Sequence, residues 1–173
     1  GRLHGLLSPS FRSGADERRF MKVVRVLFVC SNDISRSPAA RAVFAAEARK
    51  RGVERWFELE TAGSYPGMTV RPADRRAVEE GAKRGYDLGA HRCREVATVD
   101  LDRFDHLSLM DEDSHWFIKS IRPDIEVSKL SLYLHHSGQL GIREVPDPVV
   151  GECTFSEMFD ILEQGAPGLL DVL

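Results

Sequence analysis

Cys30 and Arg36 bracket a C-x5-R stretch, Cys30-Ser31-Asn32-Asp33-Ile34-Ser35-Arg36-Ser37-Pro38, whose residue types suit phosphoryl transfer. A turn of this length ahead of a helix points backbone N–H groups inward and makes an anion site. The same field favours a thiolate, so Cys30 is expected to ionise near neutral pH and act as nucleophile. Arg36 offers a planar fork to two phosphate oxygens and neutralises charge as the phosphoryl group moves. Ser37 can donate to the sulfur, while Ser31, Asn32, Asp33, Ile34 and Ser35 form the loop around the phosphate. A bare C-x5-R match is common. Its placement between an apolar strand and a Ser-Pro helix start singles this one out.

The elements that would position the loop are legible in the pattern. Val23–Val29 is a β-branched apolar run, expected as a strand buried on both faces. Ser37-Pro38 is expected to open a helix, with Ser37 as N-cap and Ala40, Val43, Phe44 and Ala48 on its inner face. A second strand is expected over 58–61, and a helix over 72–84 with Ala77, Val78, Gly81 and Ala82 inward. A third strand spans 104–110, Asp111 caps the next helix, and a fourth strand spans 126–132. Thr154-Phe155-Ser156-Glu157 is a capping box ahead of Phe155, Met158, Phe159 and Leu162 at helical spacing. Strands alternating with helices predict an α/β fold with three layers, a four-stranded parallel sheet with helices on both faces. The loop would then lie at the carboxyl end of the sheet, where such folds bind ligands.

A chain of 173 residues with a net charge of −3 suits one domain and gives no general reason to expect nucleic acid or membrane as partner. Cys30, Cys93 and Cys153 form no disulfide framework, which favours a reduced, cytoplasmic setting. Residues 1–20 are Arg-, Ser-, Gly- and Pro-bearing and read as a disordered or non-native extension, leaving a domain over 21–173. No metal or other cofactor is expected, and His135-His136 reads as a solvated pair.

The segment VLFVC, five residues on followed by RSP, resembles the amino-terminal signature of the low-molecular-weight protein tyrosine phosphatases. TAGS at 61–64, PADRRA at 72–77, His91-Arg92-Cys93-Arg94, MDE at 110–112 and Asp147-Pro148 are similar to further segments of that family, in order, to the end of the chain. The resemblance implies a cysteinyl-phosphate intermediate on Cys30, with Asp147 protonating the leaving oxygen and then activating water. It implies Thr61 and His91 as supporting residues, and a phosphorylated protein or small phosphomonoester as substrate, handled by a monomer or weak homodimer.

The chain also departs from the family pattern. Asn32 and Asp33 replace Gly and Asn, and Ser35 replaces a second loop cysteine. Val149 and Val150 follow Asp147-Pro148 where aromatics are usual, and Gly67 falls where another wall aromatic is expected. Aryl selectivity should therefore be weak unless Tyr65 supplies a wall. Asp33, if ionised, would repel the thiolate; pairing with a protonated His91 would cancel this and hold the Asp33 carboxyl below its ordinary range. The competing readings are a phosphate-binding regulatory protein with little turnover, a phosphoarginine phosphatase, which Ile34 disfavours, and a thiol-dependent arsenate reductase, which needs two further thiols within reach of each other.

Overall fold

The computed structural model describes residues 22–138 and 140–173, so the extension 1–20 lies outside the described residues. Among these, four parallel strands form one sheet in the order β2-β1-β3-β4. They are β1 (Val24–Cys30), β2 (Phe57–Gly63), β3 (His106–Leu109) and β4 (Leu130–Leu132). The helices are α1 (Arg36–Lys50), α2 (Arg75–Lys83), the short α3 (Asp100–Arg103), α4 (Glu112–Ile121) and α5 (Phe155–Val172).

The alternation of β1 builds the three layers. Val26, Phe28 and Cys30 face a core with Phe44 of α1, Ala77 of α2 and Phe159 of α5. Leu27 and Val29 face the opposite core, with Leu101 of α3 and Ile118 of α4. Val26 to Val29 have no exposed surface, as a strand covered on both sides requires. Phe28 stands 5.6 Å from Phe44 and 6.3 Å from Tyr133, ring centre to ring centre. Truncating it to Ala removes this packing and should cost ~3–5 kcal/mol.

α5 closes the first core. Thr154 accepts from the Glu157 amide and Glu157 returns the bond, a complete capping box. Gly165 lets the helix approach Tyr133, since a Cβ there would sit 2.8 Å from that ring. The buried Tyr133 hydroxyl donates to the Leu162 carbonyl at 2.7 Å, so the close approach leaves no orphaned polar group.

Several expected boundaries move. The helix expected over 72–84 begins at Arg75, with Asp74 as its cap, and Ala82 is exposed rather than inward. The fourth strand is shorter than 126–132 because Val127–Lys129 forms a 3-10 turn. Ser37 is not an N-cap: α1 begins at Arg36, Ser35 holds the cap position, and Ser37 lies inside the first turn. Pro38 still costs no hydrogen bond there, because the first four helical N–H groups lack intrahelical partners.

Candidate active site

β1 ends at Cys30 between β2 and β3, and the chain crosses over to β2 on one side and returns to β3 on the other. This is the topological switch point of the sheet. The loop Ser31–Ser35 leaves β1 here and delivers the chain into α1, with Cys30 at its base and Arg36 on the first helical turn. Gly63, at the end of β2, has no room for a Cβ: one would lie 2.7 Å from the Ser31 carbonyl oxygen. The loop is pinned to that strand end by the Ser64 and Tyr65 amides, which donate to the Cys30 and Ser31 carbonyls at 2.9 Å.

A cavity lined by Cys30, Ser31, Asn32, Ile34, Ser35, Arg36, Asp147 and Val149 gathers the expected nucleophile, anion clamp and acid. Arg36 is buried and heavily engaged. Its Nη1 donates to Asp111 Oδ2 at 2.8 Å and to the Val145 carbonyl at 3.1 Å, and its Nη2 donates to Ser31 Oγ at 3.2 Å. Asp147 Oδ2 lies 3.5 Å from the same Nη2. Burial opposes the guanidinium charge, but Cys30, Asp111 and Asp147 outweigh it and hold the group firmly charged. Asp147 itself accepts from the Val149 amide at 3.0 Å, which fixes the carboxylate at the start of the Pro148–Val150 turn.

Cys30 Sγ receives the Asp33 amide at 3.3 Å and stands 3.0 Å from Ser37 Oγ. Burial nevertheless pushes the thiol up. Arg36 and the Ser37 hydrogen bond pull it down, and Asp33 adds to the upward shift. The expected depression of this thiol is thus not met: desolvation of the sulfur exceeds the field of its donors.

Asp33 differs most from expectation. It is fully buried and has φ of 53°, the left-handed region that Asn and Asp tolerate better than other non-glycine residues. Its side chain does not line the cavity on the side where phosphate was expected; neither does that of Ser37, which stands against the Cys30 sulfur instead. Oδ1 lies 2.7 Å from Ser37 Oγ and Oδ2 accepts from the Arg94 amide at 3.1 Å, with the Thr61 hydroxyl as a further partner. His91 Nε2 donates to the Asp33 carbonyl at 2.6 Å and lies 3.6 Å from Oδ1, so the expected partner stands within ion-pair distance of the carboxylate while its hydrogen bond goes to the backbone. Burial raises the Asp33 carboxyl, although Ser37, His91 and Thr61 oppose it; the shift is upward, opposite to the expected one. Thr61 and His91 do stand at the loop as expected, on its rear side.

Two partners escaped the sequence reading. Asp111 was visible as a helix cap, and it does accept from the Ser114 amide at 2.8 Å, but its other oxygen holds Arg36. The MDE segment was the available signal. The Arg94 amide, which supports Asp33, sits in the His91-Arg92-Cys93-Arg94 segment and had none of its own.

The walls are open, as the missing aromatics implied. Val149 lines the cavity, Val150 is 70% exposed and Tyr65 is 61% exposed without reaching it. Cys93 donates to the Thr69 carbonyl and Cys153 to the Pro146 carbonyl, so the other two thiols have separate surroundings. A larger cavity of about 420 Å³ opens behind the loop, where Thr61 and His91 contribute to its lining, but the Cys30 thiol is not part of it.

A parallel α/β sheet whose switch point holds a thiol, a tight loop and a braced arginine defines an α/β protein with a cysteine-bearing anion site. A family model for low molecular weight phosphotyrosine protein phosphatase matches residues 25–173. The fission yeast protein of that name, from Schizosaccharomyces pombe, is 31% identical over 131 residues, covering 75% of this chain and 83% of its own. YfkJ of Bacillus subtilis, a low molecular weight protein-tyrosine-phosphatase, is 28% identical over 148 residues, covering 86% of this chain and 94% of its own. The YfkJ crystal structure matches with a TM-score of 0.82 over 88% of this chain and 96% of that one, at 27% identity. A protein tyrosine phosphatase of Entamoeba histolytica, with Hepes in its active site, gives 0.80 at 30% identity over 86% and 95% of the two chains. The chain belongs to the low molecular weight phosphotyrosine protein phosphatase family.

Proposed function

We propose that this chain hydrolyses phosphomonoesters, protein phosphotyrosine foremost, through a cysteinyl-phosphate formed on Cys30. The observation that carries the reading is the convergence of Asp147 on one cavity with Cys30 and Arg36, which lie more than a hundred positions earlier in the chain. The phosphoryl group enters with its oxygens toward Arg36 and the loop amides, and the bound dianion is stabilised by donors already in place. Cys30 thiolate attacks phosphorus in line, the P–O bond to the leaving group breaks, and Asp147 gives its proton to the departing oxygen. Water then attacks the cysteinyl-phosphate, loses a proton to Asp147 and releases inorganic phosphate and the thiolate.

Family membership supports the tyrosine phosphatase activity, and the open wall at Val149 supports a broad rather than a narrow choice of ester. The three cysteines are free, which fits a reduced, cytoplasmic setting. Among the described residues no helix is long and apolar enough to cross a membrane. The protein is expected to work as a monomer or weak homodimer on a phosphorylated protein or a small phosphomonoester. Turnover of an aryl phosphate by wild type and Cys30→Ser tests the assignment. The variant should lose hydrolysis and keep binding vanadate; retained hydrolysis would remove Cys30 from the chemistry.

A further inference from the structure

Ser37 has one hydroxyl proton and two neighbours that want it. Its Oγ lies 3.0 Å from Cys30 Sγ and 2.7 Å from Asp33 Oδ1, and all three groups are buried. If Asp33 is ionised it can only accept, so the Ser37 proton turns to the carboxylate and the sulfur loses its side-chain donor. If Asp33 is protonated, the chain of donors reverses. We propose that Asp33 works as a proton-bearing positioning residue: its carboxyl donates to Ser37 Oγ, which turns the Ser37 hydroxyl onto the Cys30 thiolate. This rests on the reading of Cys30 as nucleophile.

The surroundings of the carboxyl favour the proton. Among the described residues no Lys or Arg side chain pairs with it, and His91 approaches it without a hydrogen bond to the carboxyl. The Arg94 side chain is committed to Asp100 at 2.8 and 3.1 Å, leaving only the Arg94 amide for Asp33. His91 spends its Nε2 proton on the Asp33 carbonyl and stands 3.6 Å from the carboxyl. The titratable and charged groups bearing on Asp33 are therefore Cys30 at the end of β1, and His91 and Arg94 on the segment after α2; Arg36 of α1 acts on the same sulfur. A carboxylate buried without a bonded cation is costly, and protonation is the usual escape. Burial raises this carboxyl, which agrees. Removing its charge also removes one of the causes that raise the Cys30 thiol. The pair then carries one negative charge, placed on sulfur.

Ionisation of Asp33 should therefore reduce activity on the alkaline side. With the two charges about 6 Å apart at an effective dielectric of ~20, the loss should be roughly tenfold to a hundredfold. Asp33→Asn keeps the shape and supplies a permanent donor to Ser37, so its kcat/KM for an aryl phosphate should lack that alkaline limb. Ser37→Ala, which cuts the relay, should lower kcat, and adding Asp33→Asn to it should then restore little. His91→Gln, which keeps a donor for the Asp33 carbonyl, should retain the limb. Carbon-13 NMR of the wild-type carboxyl groups, which needs neither a variant nor turnover, should find Asp33 titrating at the pH of the limb. An Asp33 that is ionised throughout the active range would overturn the proposal, as would an unchanged limb in Asp33→Asn or its disappearance in His91→Gln. Failure of all variants and wild type to hydrolyse any ester would instead count against the phosphatase reading, with the NMR titration still deciding the proton.

Discussion

Arg36 Nη1 meets Asp111 Oδ2 at 2.8 Å, so the acid that caps the N-terminus of α4 braces the guanidinium that faces the phosphate cavity. The pair is almost wholly shielded, with side chains 6% and 11% exposed, so geometry rather than net charge decides its worth. Asp111→Asn keeps a good helix cap but loses the charge-assisted bond. The expected result is a loss of about tenfold to a hundredfold in kcat/KM with weaker vanadate binding, from a charged hydrogen bond of ~1.5–3 kcal/mol. Wild-type kinetics in this variant would mean that the Val145 carbonyl and Ser31 suffice to aim Arg36.

Asp147 lies at the mouth of the cavity, tied to the Val149 amide and 3.5 Å from Arg36. General acid catalysis contributes about 10²–10⁴, most with leaving groups that need a proton. Asp147→Asn should slow a poor aryl leaving group by that factor and a very good one far less. A series of aryl phosphates measures this directly, and equal losses across the series would reduce Asp147 to a loop-shaping role.

Val149 lines the cavity where the family pattern would put an aromatic, but it has no ring. Val149→Tyr adds one beside the substrate while leaving the backbone N–H free to hold Asp147. An aromatic pair is worth about 0.5–1.5 kcal/mol beyond area burial, so KM for aryl phosphates should fall roughly two- to tenfold, and less for alkyl phosphates. Equal changes for both ester types would place the new ring away from the leaving group.

The raised Asp33 carboxyl also makes a stability prediction. Burial lifts it above the ordinary carboxylate range, so between that range and the raised value the folded chain binds more protons than the unfolded one. Stability from this group is therefore full at low pH and falls as pH rises through the folded value. Asp33→Asn has no such loss. Its Tm relative to wild type should climb between acid and neutral pH, read by thermal unfolding at matched ionic strength; a constant difference would deny the shift.

Much of the site was legible because its parts are local or punctuated. Val26–Val29 announces a doubly covered strand by composition, Pro38 and the Thr154 capping box mark helix starts, and Cys30 and Arg36 share one loop. Asp147-Pro148 became readable only beside a family pattern, since Asp-Pro alone marks any turn. The tertiary structure decided the rest. Sequence could nominate Asp111 as a cap, but its hold on Arg36 crosses 75 positions and depends on β3 lying next to β1. It could place Asp33 in a polar loop, but not turn its side chain inward: the left-handed backbone at that residue points the carboxyl behind the loop, toward Ser37 and the Arg94 amide. Whether a buried acid pairs as an ion or keeps its proton depends on which donors surround it. Those donors come from β2, α1 and the 91–94 segment, which only the folded chain brings together.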